Sequence, residues 1–196
     1  MGYHRAGFEV VGVDIKPQPH YPFEFHQADA LTYPLDGFDA YHASPPCQRF
    51  STMKGMRFNK KHPDLLTPIL LRFEELNCTW VIENVVGSPL RSHVQLCGSV
   101  FGLGSHGYQL RRHRWFQSNI LIPVPPCNHK GRAISIINGP KIDRLSKRVP
   151  PSWGNEAMGI NWMNREELSE AIPPDYTEYI GKYLIKFLNH SRGRSG

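Results

Sequence analysis

Residues 8–15 have the sequence FEVVGVDI, a short run of mostly β-branched and apolar side chains that contains an acidic residue near its end. Two later runs are similar: residues 38–47 (FDAYHASPPC) and residues 80–85 (WVIENV). Apolar runs of this length predict buried strands, and a helix is predicted between the last two, over residues 64–76. Alternating strands and helices predict an α/β fold with a doubly wound, mostly parallel sheet. Functional side chains are expected at the carboxyl ends of its strands.

The second half of the chain has a different character. Residues 123–162 are rich in proline and glycine, basic and weakly periodic, which predicts a small irregular lobe. An amphipathic helix is predicted over residues 176–188 and should pack back on the sheet. The expected division is a core at 1–116, a lobe at 117–163, a returning segment at 164–189 and a flexible tail at 190–196.

Charge is distributed unevenly along the chain. Residues 1–46 carry two Lys or Arg against six Asp or Glu, whereas residues 47–196 carry 21 against 11. The basic excess favours a polyanion such as DNA and the acidic segment favours a small ligand, with ordinary surface charge as the alternative. No apolar run approaches the roughly 20 residues of a membrane span, and the N-terminus does not resemble a signal peptide. We therefore expect a cytoplasmic protein without membrane contact.

The cysteines predict neither disulfides nor a metal site. The chain has no CxxC pair, and a cytosolic protein keeps its thiols reduced. Cys127 and His129 lie close together in a proline-rich loop, as zinc ligands can, but no second pair at ligand spacing accompanies them in the sequence. Apart from Cys47, the cysteines are expected to tolerate replacement by serine.

Three kinds of side chain are candidates for chemistry. Cys47 follows two prolines on a stiff turn after a predicted strand, although an isolated cysteine is more often a small buried hydrophobe. Glu83 lies inside an apolar run, where a carboxylate is unfavourable unless it is paired or functional. Arg112 and Arg114 alternate in RRHRWF, so both can project from one face of a strand, although alone they would be ordinary surface arginines.

Together, and in this order, these segments resemble the motifs of the DNA (cytosine-5) methyltransferases. PPCQ at 45–48 resembles the nucleophile loop of the family, ENV at 83–85 its acidic motif, and RHR at 112–114 its Arg-x-Arg element. The resemblance implies a class I, Rossmann-like methyltransferase fold. It also implies that the chain binds double-stranded DNA and methylates C5 of a cytosine flipped out of the duplex.

The chemistry of that reaction explains why such groups are needed. C5 of cytosine becomes nucleophilic only when a thiolate adds at C6, while an acid protonates N3 and a cationic group holds O2. The resemblance implies that Cys47 is the nucleophile and Glu83 the acid. It assigns Arg112 and Arg114 to steadying O2 and the nucleophile loop.

Further segments resemble the part of the family that binds the methyl donor, S-adenosylmethionine. GVD at 12–14 is similar to the strand whose acid holds the ribose, and QADAL at 27–31 to the segment near the adenine. The family starts with a strand and a glycine-rich loop upstream of this point. The resemblance therefore implies a fold lacking its first strand, weak donor binding and a companion chain that supplies the strand. The implied donor-binding residues are Asp14, Ile15, Asp29, Ala30, Pro45 and Glu170.

Two positions depart from the pattern of the family, and two alternatives stay open. Leu110 stands where the family usually has Gln, and Glu170 where it usually has Asn. The first alternative is a decayed or split methyltransferase that binds DNA without catalysis. The second is an RNA methyltransferase of the same chemistry that acts on a transfer RNA.

Overall fold

The three apolar runs of the first half form strands, and a helix lies between the last two, as predicted. The structure is a computed structural model and describes residues 1–46, 64–76, 78–137, 139–142 and 147–193, so Cys47 lies outside the described residues. The α/β class is confirmed. The elements of this half are α1 (Gly2–Ala6), β1 (Val11–Asp14), β2 (Glu24–Gln27), β3 (Ala40–Ala43), α2 (Leu66–Glu75) and β4 (Thr79–Asn84).

Local chemistry explains where the helix α2 begins. The Asp64 carboxylate accepts hydrogen bonds from the backbone N–H groups of Leu66 (3.1 Å) and Thr67 (3.2 Å). These bonds satisfy donors that a first helical turn leaves unpaired. The predicted helix at 64–76 is therefore confirmed, with Asp64 just outside it.

The second half contains more regular structure than its composition predicts. Its strands are β5 (Val94–Leu96), β6 (Gly104–Ser105), β7 (Tyr108–Leu110), β8 (Arg114–Ser118), β9 (Ala133–Ser135), β10 (Lys141–Ile142) and β11 (Lys147–Arg148). A short 3₁₀ turn (Gly98–Val100) follows β5. The helices are α3 (Pro151–Met158), α4 (Arg165–Glu170) and α5 (Pro174–Arg192).

The central sheet is mixed, with three strands that share one direction and one that is reversed. Its order is β3-β4-β8-β5, and β3 and β4 are parallel neighbours. β8 runs antiparallel to both β4 and β5. β1 and β2 form a separate parallel pair.

The segment predicted to be an irregular lobe contributes to an ordered second sheet. This five-stranded sheet has the order β11-β10-β9-β7-β6. Two of its strands, β6 and β7, precede residue 117, and β8 in the central sheet extends to Ser118. Leu110, Ile134, Met158 and Ile160 form part of its own buried cluster. Burial of aliphatic side chains against α3 therefore orders a region whose strands are too short to show a clear period.

The C-terminal helix α5 closes the core, as predicted. Its side chains Tyr176, Ile180 and Leu184 are buried with residues of the central sheet. It also packs tightly on α1: a Cβ at Gly2 would lie 2.0 Å from the carbonyl oxygen of Pro174, and one at Gly181 would lie 2.6 Å from the Cβ of Ala6. Only glycine permits this approach of the two helices. None of the helices among the described residues has the length and apolarity needed to cross a membrane.

Candidate active site

Glu83 is a buried carboxylate on the central strand β4. Only 9% of its side chain is exposed, and its Oε1 lies 3.0 Å from Nε of Arg114 on the neighbouring strand β8. Burial raises the pKa of Glu83 above the ordinary carboxyl range, while Arg114, a hydrogen bond from Ser44 and Arg112 act in the opposite direction. A paired acid that keeps its proton more readily than usual is suited to proton donation.

The loop that leads to Cys47 starts beside Glu83. β3 and β4 are parallel, with Ala43 opposite Ile82, so Ser44 and Glu83 follow at the same edge of the sheet. The side-chain amide of Asn84 donates a 3.0 Å hydrogen bond to the carbonyl of the buried Pro45. Pro45, two residues before Cys47, is thus held by a hydrogen bond to the acidic motif at residues 83–85. The position of Cys47 itself falls in the part of the chain left undescribed.

A hydrogen-bonded series behind Glu83 was not predicted from the sequence. The hydroxyl of Tyr3 lies 2.7 Å from Nδ1 of His42, and Nε2 of His42 lies 3.0 Å from the hydroxyl of Ser44. Burial lowers the pKa of His42 to about 4 and raises that of Tyr3, so both are neutral near pH 7. Tyr3 then donates to Nδ1, Nε2–H donates to Ser44, and Ser44 donates to Glu83. The series orients every donor toward the carboxylate.

The two arginines of the Arg-x-Arg element have different contacts. Arg114 forms the ion pair with Glu83. Arg112 is 6% exposed, and its Nη2 donates a 2.7 Å hydrogen bond to the carbonyl of Ser169 in α4. The hydroxyl of Tyr176 donates to the backbone carbonyl of Arg112 at 2.7 Å. Arg114 is therefore positioned to act on a ligand together with Glu83. Arg112 instead anchors the C-terminal helices, and its positive charge lowers the pKa of Glu83.

Two of the predicted donor-binding residues lie at the carboxyl edge of the β1–β2 pair. Asp14 ends β1, and its carboxylate accepts hydrogen bonds from the Lys16 N–H (2.8 Å) and from the Gln18 side chain (3.2 Å). Asp29 follows β2 and accepts from the Leu31 N–H at 2.9 Å. Both carboxylates keep lone pairs for a ligand hydroxyl or amine.

Glu170 lies at a cleft next to the segment that follows Asp14. Gln18, whose side chain donates a hydrogen bond to Asp14, lines this cleft together with Glu170. The volume of the cleft is about 220 Å³. Ligand pockets usually enclose at least about 300 Å³, so this cleft is smaller than a typical ligand pocket. The remaining predicted donor residues are the exposed Ile15 and Ala30, and Pro45, which lies with the acid motif instead.

A second cleft separates the arginine segment from the second sheet. Residues 110–114 form one side and residues 134–137 the other, and the cleft has a volume of about 250 Å³. Arg114 therefore reaches both the buried acid and a cleft between the two sheets. A base that leaves a nucleic-acid duplex would need such an entrance.

The sequence analysis missed a cluster of possible metal ligands, because its members are distant in sequence. The ligand atoms of Cys97, His113, Cys127 and His129 all lie within 4.8 Å of one another. The sequence has no second pair at ligand spacing, because Cys97 and His113 are far apart along the chain. The fold brings them next to Cys127 and His129.

Comparison with known proteins identifies no relative. No protein-family model matches the sequence, and no curated protein matches it significantly. The functional assignment accordingly depends on the motifs of this chain and on the contacts among its own residues.

Proposed function

We propose that this chain is a DNA (cytosine-5) methyltransferase that uses S-adenosylmethionine as the methyl donor. One observation carries the proposal: the buried Glu83 is paired with Arg114 at the sheet edge where residues 44–46 lead directly into Cys47. An acid and a guanidinium from two separate strands thereby meet beside the segment that leads into Cys47. Each has a defined role in adding a methyl group to C5 of cytosine.

The reaction begins with covalent addition to the base. The Cys47 thiolate forms a bond to C6 of the flipped cytosine. The electron pair of the C5–C6 double bond then forms a C4–C5 double bond, and the electron pair of the C4–N3 double bond takes up the proton that Glu83 transfers to N3. Arg114 stabilises the partial negative charge on O2. The series Tyr3, His42 and Ser44 holds the Glu83 carboxyl group in a fixed orientation. A preoriented donor needs little reorganisation as charge develops.

The second half of the reaction restores the aromatic ring. When bound, S-adenosylmethionine supplies an electrophilic methyl group, which C5 attacks. A base then removes the remaining proton from C5, the C5–C6 double bond forms again, and Cys47 leaves as a thiolate. The proton on N3 returns to Glu83, which restores the acid. Asp14 and Asp29 are available to hold the ribose and adenine of the donor.

The order of the strands supports a doubly wound methyltransferase sheet. A sheet of this kind has the order 3-2-1-4-5. β2-β1 and β3-β4 correspond to strands 3-2 and 4-5 of that order. Among the described residues, β1 pairs only with β2, and β3 only with β4. A strand from a companion segment would complete the sheet between β1 and β3, and its loop would enlarge the donor cleft.

The second sheet supports DNA as the partner. Lys141 and Arg148 are directly opposite each other in the β10–β11 pair. Two cations in this position concentrate positive potential on one pair of strands, which favours a polyanion as the partner. Arg132, Lys147 and Arg148 are exposed, while Arg144 falls in the undescribed residues 143–146. Lys147 and Arg148 lie in the sheet that borders the cleft next to Arg114, and Arg132 directly precedes its strand β9.

We predict that affinity for duplex DNA falls steeply as the salt concentration rises. If Arg132, Lys141, Lys147 and Arg148 each contact one phosphate, the log–log slope is expected to be about −3.6, from about −0.9 per phosphate. The double change Lys147→Ala and Arg148→Ala should make the slope shallower by about 1.8. Fluorescence anisotropy at several salt concentrations measures both.

The matched control is Lys182→Ala on α5, where the lysine pairs with Glu178. It removes a similar charge outside the second sheet and should leave the slope unchanged. An affinity that does not respond to salt would contradict DNA binding and favour a protein partner.

Covalent trapping tests the enzymatic proposal. On duplex DNA that contains 5-fluorocytosine, methyl transfer leaves fluorine at C5, which cannot depart as a proton does, so the Cys47–C6 bond should persist. We expect a denaturation-resistant adduct that requires saturating S-adenosylmethionine. A labelled transfer RNA containing the same base serves as the competing substrate. DNA binding without an adduct would support the non-catalytic alternative, and an adduct on the transfer RNA alone would support the RNA alternative.

A further inference from the structure

The side chains of Cys97, His113, Cys127 and His129 converge on one point at the edge of the central sheet. Sγ of Cys97 lies 3.3 Å from Nε2 of His129, and Sγ of Cys127 lies 3.5 Å from Nε2 of His113. All four ligand atoms lie within 4.8 Å of one another. Tetrahedral zinc with two thiolates and two imidazoles has ligand–ligand separations of about 3.3 to 3.8 Å. The two sulfur–nitrogen distances fall in that range, and the remaining pairs, within 4.8 Å, would move closer together around a bound ion.

The backbone places the first pair of ligands without any help from a metal. β5 and β8 are antiparallel, with Leu96 opposite Arg114. Cys97 follows Leu96 and His113 precedes Arg114, so the two lie side by side one step beyond the last strand pair. Cys97 is fully buried.

Hydrogen bonds hold the second pair in position from both sides. Between Cys127 and His129, the N–H of Asn128 donates to Ser99 at 3.2 Å, and its carbonyl accepts from the Gln109 side chain at 3.0 Å. The loop is thus fixed at the residue that separates the two ligands, and both flanking side chains point to the same place as Cys97.

The surroundings of the sulfur atoms resemble those of a ligand shell. The hydroxyl of Ser99 lies 3.2 Å from Sγ of Cys97, and the amide of Gln95 donates to Sγ of Cys127 at 3.9 Å. Donors next to metal-bound thiolates stabilise their charge and orient them. Two thiolates and two neutral imidazoles balance no more than two charges, the charge of Zn²⁺, so the complex carries no net charge.

We propose that Cys97, His113, Cys127 and His129 bind one structural zinc ion. Four protein ligands leave no open position for a water molecule, so the site is structural and not catalytic. The metal joins the end of β5, the arginine segment and the loop that leads to β9. Because His113 lies between Arg112 and Arg114, zinc would hold the backbone that presents Arg114. The assignment is independent of the methyltransferase proposal, and it replaces the expectation that Cys97 and Cys127 tolerate serine.

Metal analysis of the full chain tests the site. After gel filtration in a reducing buffer, we expect one zinc per chain, and replacement by Co²⁺ should give the visible absorption of a tetrahedral ion. Cys127→Ser should abolish stoichiometric binding. Cys78→Ser, which changes a half-buried cysteine outside the cluster, and His93→Gln should retain it.

Thiol modification provides a second measurement if a variant fails to fold. In the unmodified chain, a chelator should strongly accelerate alkylation of Cys97 and Cys127, detected by peptide mass, and leave the rate at Cys78 unchanged. Zinc content no higher than in the Cys97→Ser/Cys127→Ser double variant would overturn the proposal. So would an octahedral Co²⁺ spectrum, chelator-independent alkylation, or a Cys97–Cys127 disulfide in the reduced protein.

Discussion

Replacing Cys47 with alanine is expected to abolish methyl transfer and covalent trapping while leaving duplex affinity nearly unchanged. The thiol is the group assigned to the bond with C6, and alanine has no nucleophile to form that bond. Affinity should persist because phosphate contacts of the second sheet provide most of the binding free energy. Transfer of tritium-labelled methyl groups measures the activity, and anisotropy measures the binding.

The matched control for that change is Cys78→Ser. Cys78 lies just before β4 and is half-buried, so its loss affects packing and not the reaction. The serine variant should keep most of the activity. Turnover by Cys47→Ala, or equal losses in both variants, would contradict the assignment of Cys47 as the nucleophile.

The sequence predicted the central pair of the site because its signals are local. Glu83 was notable as a carboxylate inside an apolar run, and burial is what makes such a residue unusual. Arg114 followed from the alternation in RRHRWF. The structure adds the contact between them, since antiparallel pairing of β4 and β8 brings the two side chains within 3.0 Å.

The series behind Glu83 could not be predicted, because it depends on tertiary packing. Tyr3 reaches His42 only because α1 packs on α5 through Gly2 and Gly181. Nothing in the spacing of residues 3 and 42 indicates contact. The same reason explains the zinc ligands, where cross-strand pairing joins residues 97 and 113.

The second sheet was mistaken for an irregular lobe because its strands are two or three residues long. A period of two cannot be recognised over such lengths. Proline and glycine between the strands also lower any strand signal. Its order comes from burial against α3 and α4, which a local pattern does not contain.

Glu83→Gln should slow methyl transfer by at least ~100-fold, the lower range for loss of a general acid. This corresponds to about 2.7 kcal/mol of transition-state stabilisation. Glutamine keeps the shape of the side chain and can still accept from Ser44, but it cannot give up a proton to N3. Single-turnover rates with saturating DNA and donor measure the effect. Glu24→Gln, an exposed carboxyl on β2 with 67% of its side chain accessible, is the control and should react normally.

Glu83→Gln also leaves the half-buried Arg114 without its counter-ion, so a slower rate could come from lost stability. The pH dependence of the rate separates that effect from the loss of proton donation. Burial raises the pKa of Glu83, so the protonated acid persists to a higher pH than an ordinary carboxyl group would allow. The wild-type rate should therefore fall as the pH rises through that raised pKa. The glutamine variant has no proton to lose there, so its slower rate should show no such fall, while its unfolding temperature reports the lost ion pair independently. A variant that keeps the wild-type pH profile, or that loses activity only in proportion to the fraction unfolded, would exclude Glu83 as the proton donor.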